Sequence, residues 1–133
     1  MNASSIADRL LITPGSSLWF QPVEWMWVLG PMPPGVRPTG ELVASTVAVM
    51  FVSNAASVRW FVDRYRTVLA IPPVVWICYP TRGRPDFNRA SLLTMLAAHG
   101  QQPVAEFALD ASWTALRIRP IGATPQRSAT PRS

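Results

Sequence analysis

The chain has no lysine, one cysteine and one histidine, and each shortage excludes a class of site. A single cysteine, Cys78, and a single histidine, His99, build neither a disulfide framework nor a zinc centre, so no metal is expected. Cys78 stands inside an apolar run and reads as a small buried hydrophobe. Long hydrophobic runs are missing too. The most apolar stretches, Leu42–Val52 and Val68–Cys78, fall short of the roughly 18–20 residues a membrane span needs. The opening MNASSIADRLLITPG carries Asp8 and Arg9 and has no apolar segment of signal-peptide length. A cytoplasmic protein without membrane contact is the expectation.

Without lysine, arginine carries all the positive charge. Twelve arginines against seven acidic residues give a net charge of +5, and Arg127 and Arg132 of the C-terminal tail supply two of it. The others are scattered from Arg9 to Arg119. A nucleic-acid-binding surface needs basic residues gathered on one face, so nucleic acid is not an expected partner.

What is present points to one globular domain. Of 133 residues, 49% are hydrophobic and 14% charged, a composition that buries a core and argues against general disorder. The fourteen prolines, about twice the usual share, punctuate the chain without the period that marks a solenoid. Residues 1–122 are read as a single domain and residues 123–133 as a disordered polar tail.

Ser4–Leu11 reads as a short helix capped by Ser4 or Ser5. Ser17–Phe20 is a first strand. Val23–Leu29 fits a two-turn helix, with a strand as the alternative. The proline-rich Pro31–Thr39 forbids regular helix and allows only a short extended piece near Val36. Thr46–Val52 (TVAVMFV) and Val74–Tyr79 (VVWICY) are apolar on both faces, as strands buried between helix layers are. In Asn54–Leu69, Val58, Phe61, Val62, Tyr65, Val68 and Leu69 recur at three- and four-residue steps, one apolar helical stripe. Asp86 is the expected cap of a second long helix, which Gly100 closes. Pro103–Leu109 and Ala115–Arg119 form a final hairpin. The predicted class is therefore α/β: a Rossmann-like three-layer domain with a mainly parallel sheet and a C-terminal antiparallel hairpin.

Three motifs carry a family resemblance: Trp76…Tyr79-Pro80 at a strand end, Asp86-x-x-Arg89 at a helix start, and DASWTALRIRP from Asp110 to Pro120. Together they resemble the bacterial domain-of-unknown-function family DUF3052, and LVASTVAVMFVSNAASVRWFVDRY looks like its central strand and helix. The resemblance implies a shortened class I methyltransferase fold. The chain departs from the family pattern at Thr81, where lysine is usual, and at Thr114, where serine is usual. Fold alone does not carry activity.

A methyltransferase of this kind needs a glycine-rich turn after its first strand, and an acid after its second for the ribose hydroxyls. Here the first turn reads Gln21-Pro22-Val23-Glu24, and Glu41 is the lone acid after the second strand. Such a turn is expected to be too bulky for a cofactor. The reading that follows is a non-catalytic domain, without cofactor or catalytic residues, acting through a protein partner or as a homodimer. Trp19, Trp25 and Trp27 are the candidate interface. The alternative is binding of a nucleotide or S-adenosylmethionine-like ligand, or a methyltransferase-like enzyme, using the loop 79–86. Its pocket would be lined by Gln21, Glu24, Ser53, Asn54, Tyr79, Thr81, Arg82 and Arg84, with the arginines holding an anion. His99, beside a helix-closing glycine, reads as a partner of the helix dipole.

Overall fold

Two strands with apolar side chains on both faces set the architecture. They are Val47–Phe51, buried at every position, and Val74–Pro80, buried at all but its ends. Strands of this kind must be covered on both sides. The chain meets the requirement with a three-layer α/β domain, and the computed structural model describes residues 5–122 of it. Six strands form one sheet: β1 (Ser17–Gln21), β2 (Arg37–Pro38), β3 (Val47–Phe51), β4 (Val74–Pro80), β5 (Gln101–Ala108) and β6 (Trp113–Pro120). Their order is β2-β1-β3-β4-β6-β5. The first four are mutually parallel, and β6 lies antiparallel between β4 and β5.

Helices α2 (Ala55–Arg64) and α3 (Arg89–Ala98) cover one face. Val58, Phe61, Leu92 and Leu96 pack there against Ala48, Met50, Ile77 and Leu116. The other face is covered by α1 (Ile6–Arg9) and a 3₁₀ helix, Val23–Leu29, which bring Ala7, Leu10 and Leu29 onto Leu18, Val49, Cys78 and Ala115. Alternate residues of one strand thus serve two separate cores, as the pleat dictates. The buried Trp76 indole N–H donates to the Leu10 carbonyl at 2.8 Å and so ties the N-terminal segment to the sheet.

The predicted class, the antiparallel C-terminal pair and the order of elements all appear. Some boundaries differ. The helix expected over Asn54–Leu69 stops at Arg64, with Tyr65 as its C-cap. Val68 and Leu69 continue in turns, and Leu69 still reaches the core. The cap expected at Asp86 is two residues later. Asn88 accepts from the Ser91 amide at 3.0 Å while Ser91 Oγ accepts from the Asn88 amide at 2.9 Å. A tight bridge between Arg84 and Phe87 places Asp86 in the preceding turn. Helix α2 starts with the same reciprocal arrangement, Asn54 with Ser57. The tail from Ala123 lies outside the described residues. Among those described, no helix is long and apolar enough to cross a membrane.

These caps give a direct stability test. Asn88→Ala should cost about 1 kcal/mol, as N-cap removal does. Asp86→Ala, at an exposed turn position, should stay within about 0.5 kcal/mol. Urea denaturation midpoints of the two variants check the assignment.

Candidate functional site

The strand order reverses direction between β1 and β3. From β1 the chain crosses to β2 by way of the 3₁₀ helix on one face, and from β3 it crosses to β4 by α2 on the opposite face. The two connections therefore diverge at the carboxyl ends of β1 and β3. A crevice opens at such a point in any open α/β sheet. Here it holds a cavity of about 320 Å³ lined by Gln21 and Pro22 from the end of β1, by Met50–Ser53 from β3, and by Trp25, Ser57, Trp60 and Trp113. A second cavity of about 480 Å³ lies toward β2, where Pro38, Thr39 and Gly40 face Trp19, Arg64 and Tyr65. Gln21 and Trp60 belong to both linings.

The smaller cavity is aromatic and uncharged. Trp25, Phe51 and Trp113 form a triangle of edge-to-face rings, with centroids 6.0 Å apart for Trp25–Phe51, 5.5 Å for Trp25–Trp113 and 4.9 Å for Phe51–Trp113. Each comes from a different element, so the wall exists only in the folded chain. Trp60 on α2 contributes the remaining indole and is 44% exposed. Gln21, Ser53 and Ser57 are its polar residues, and the Ser57 hydroxyl is engaged with Asn54 at the helix cap.

The expected pocket residues separate into two groups. Gln21 and Ser53 line the crevice, and Arg84 adjoins it by donating from Nη2 to the Ser53 carbonyl at 3.2 Å. The others have different places. Glu24 is exposed on the 3₁₀ helix, and Asn54 caps α2. The Thr81 hydroxyl pairs with Thr114 at 2.7 Å, and Arg82 is exposed on the loop. Tyr79 points into the α2–α3 side of the core and bonds Glu106. Pleating explains this: Tyr79 faces one side of β4 while Cys78 faces the other.

The tryptophan interface needs correction. Trp19 is 3% exposed and packs on Phe61 and Tyr65 at 5.7 and 5.3 Å. Trp25 belongs to the cavity wall and is 36% exposed, while Trp27 is 77% exposed. Sequence reasoning missed Trp60, although a tryptophan between Arg59 and Phe61, off the helix's apolar stripe, was a usable signal. Phe51 and Trp113 carried no signal of their own, since each fits a core or hairpin role equally well.

Beside the crevice, a polar cluster holds α3 and β5 to β4. The Arg89 guanidinium grips Glu106 in a fork, Nε at 3.0 Å from Oε2 and Nη2 at 2.9 Å from Oε1. Tyr79 donates its hydroxyl to the same carboxylate. Hydrogen bonding from Arg89 holds the Glu106 carboxyl below the ordinary glutamate range; partial burial opposes this and the Tyr79 bond adds to it. Burial first, and the Glu106 contact second, push the Tyr79 phenol up to about 12. Tyr79 is therefore a neutral donor at working pH. The Asp86-x-x-Arg89 motif resolves into a structural clamp with Arg89 as its active member. His99 closes α3 and lies 3.3 Å from Asp63 of α2. Among the described residues, no group of three histidine, cysteine or carboxylate side chains is placed to hold a metal.

No protein-family model matches the chain and no curated protein matches it, so the DUF3052 resemblance reduces to one of fold. Solved structures do match. A protein of the NADB-Rossmann superfamily from Streptococcus agalactiae superposes with a TM-score of 0.54 at 12% identity, over 95% of this chain and 72% of that one. A putative tRNA (m1A22) methyltransferase from Streptococcus pneumoniae gives 0.52 at 15% identity, over 95% and 74%. Its complex with S-adenosyl-L-methionine gives 0.51 at 15%, over 92% and 73%. The shared property is the Rossmann-like fold. These likenesses correct the expectation of a non-catalytic domain working through protein contacts, and with it the preference against an enzyme. The turn expected to be too bulky for a ligand, Gln21 to Glu24, instead begins with two residues that line a cavity.

The clamp has a pH signature. A carboxyl with a folded pKa below its unfolded value stabilises the fold above that unfolded value, and this is lost as pH falls through the folded one. Glu106→Gln should thus differ most from the parent at neutral pH and converge with it in acid, below the ordinary value of about 4.3. The raised Tyr79 pKa acts in the opposite sense: its stabilisation is present below about 10 and fades as pH climbs toward about 12. Thermal midpoints of both proteins across pH would show the convergence or its absence.

Proposed function

We propose that this chain is a methyltransferase-like domain whose crevice at the carboxyl ends of β1, β2 and β3 binds an adenosyl ligand of the S-adenosylmethionine type. The observation that carries the reading is the cavity pair at the reversal of strand order, where open α/β sheets receive nucleotides. Both volumes, about 320 and 480 Å³, fall in the range of small-molecule sites.

The residues present fit such a ligand. At the end of β2, Thr39 and Gly40 line the larger cavity, and the exposed Glu41 follows directly as a partner for ribose hydroxyls. No heavy atom lies within 4 Å of the position a Cβ would take at Gly40, so the backbone is open to close approach there. Trp60 and Tyr65 offer ring surface for a base, and Arg64 offers a guanidinium for a carboxylate. S-adenosylmethionine, when bound, supplies an activated methyl group. The chain's own part is to orient the ligand over Gln21 and to keep water from the reacting end with the Trp25–Phe51–Trp113 wall.

Calorimetric titration with S-adenosylhomocysteine tests the proposal. Saturable binding and a raised melting temperature are expected. Gly40→Phe, which projects a ring from a position whose Cβ meets no protein atom within 4 Å, should weaken binding by about ten-fold or more, since a single blocked contact readily exceeds 1.4 kcal/mol. An absence of binding at millimolar ligand would overturn the reading.

A further inference from the structure

We propose that the smaller cavity takes a planar aromatic carboxylate, its ring against the Trp25–Phe51–Trp113 wall and its anionic group on Arg84. As an assignment of the methyl acceptor this rests on the reading above; as a binding site it stands by itself.

Shape and wall chemistry specify the ring. Three aromatic side chains in mutual edge-to-face contact, with centroids 4.9 to 6.0 Å apart, form one side. Trp60 adds an indole, and Met50 and Val52 complete an apolar lining. Flat apolar walls select flat apolar ligands, because edge and face contacts are lost by any puckered skeleton. A volume of about 320 Å³ admits one fused ring system.

Charge specifies the substituent. Aromatic faces also attract cations, yet no carboxylate lines this cavity. The charge at its edge is the guanidinium of Arg84, held at 3.2 Å to the carbonyl of the lining residue Ser53. The backbone of Arg84 is fixed from three directions. Its amide donates to the Phe87 carbonyl at 2.9 Å, and its carbonyl accepts from the Phe87 amide at 3.1 Å and from Asn88 Nδ2 at 2.9 Å. Phe87 itself is buried in the core. By contrast the side chain is 60% exposed, and its link to Asp86 is a solvated 3.6 Å contact, a type that contributes little. An arginine with a rigid base and a loosely engaged fork is poised to exchange that partner for a ligand carboxylate.

The lining also contains no group that titrates near neutrality. It offers no base to take a proton from an alcohol or phenol. An acid that is already ionised needs none.

The test is calorimetric titration of the full chain with 2-naphthoate and with its neutral counterpart 2-naphthamide, in the absence of any adenosyl ligand. The acid should bind about ten-fold more tightly than the amide, the scale of a charge-assisted pair. Arg84→Gln should abolish that preference and leave amide affinity unchanged, which also shows that the variant is folded. Trp25→Ala should weaken both ligands, its melting temperature confirming the fold. Equal affinity for acid and amide, or a preference that survives in Arg84→Gln, would overturn the proposal. So would Arg84-dependent binding of a single-stranded oligouridylate without binding of naphthoate. Naphthoate binding without S-adenosylhomocysteine binding refutes the adenosyl reading alone, and the reverse refutes this one alone.

Discussion

A parallel strand that is apolar on both faces cannot tolerate water on either, and β3 and β4 are both of this kind. Covering them requires one layer of helix above and another below the sheet. Right-handed crossovers then fix which connections go to which side. The connection leaving β1 goes to one face and the connection leaving β3 to the other, so the chain must part between them. The crevice is a consequence of covering the sheet. It needs no dedicated sequence motif.

The crevice receives its character from local shortage. The β1–β2 connection is a seven-residue 3₁₀ helix in place of a long α-helix, and it cannot cover the strand ends fully. Trp25 fills part of the deficit by packing on Phe51 and Trp113. The result is a cavity with large rigid walls instead of a glycine-rich cradle. A short domain thus combines a Rossmann-like topology with a crevice walled by aromatic rings.

Beside this opening, the C-terminal half is held tightly. Glu106 receives both Arg89 and Tyr79, and the Thr81–Thr114 pair joins the loop after β4 to β6. These contacts fix the β4 end and the turn beyond it, from which Arg84 projects. The exposed Arg84 guanidinium beside the smaller cavity therefore extends from a rigid base. Rigidity below and freedom at the tip suit an anion-binding arm better than a structural bridge.

Much of the fold was legible because its causes are local. The doubly apolar runs around Val49 and Ile77, the helical stripe of Val58, Phe61 and Val62, and the closing Gly100 each state their own role in periodicity or backbone freedom. The cap at Asn88 was less legible, since Asp86 is an equally good cap by residue type and only the Arg84–Phe87 bridge decides between them. At the crevice, sequence placed Gln21, Ser53 and Arg84 by their positions at strand ends, because strand ends can be counted. It misplaced Glu24, Asn54, Tyr79, Thr81 and Arg82, which line neither cavity, and Trp19, which is buried. Which face of a strand a side chain occupies, and which rings from distant segments meet, depends on pleat register and on crossover side. Neither is written in any single stretch of the chain. Sequence by itself determined the elements and their order. The tertiary structure alone decided the cavity, because Trp25, Phe51 and Trp113 become neighbours only when three separate elements are packed around one sheet.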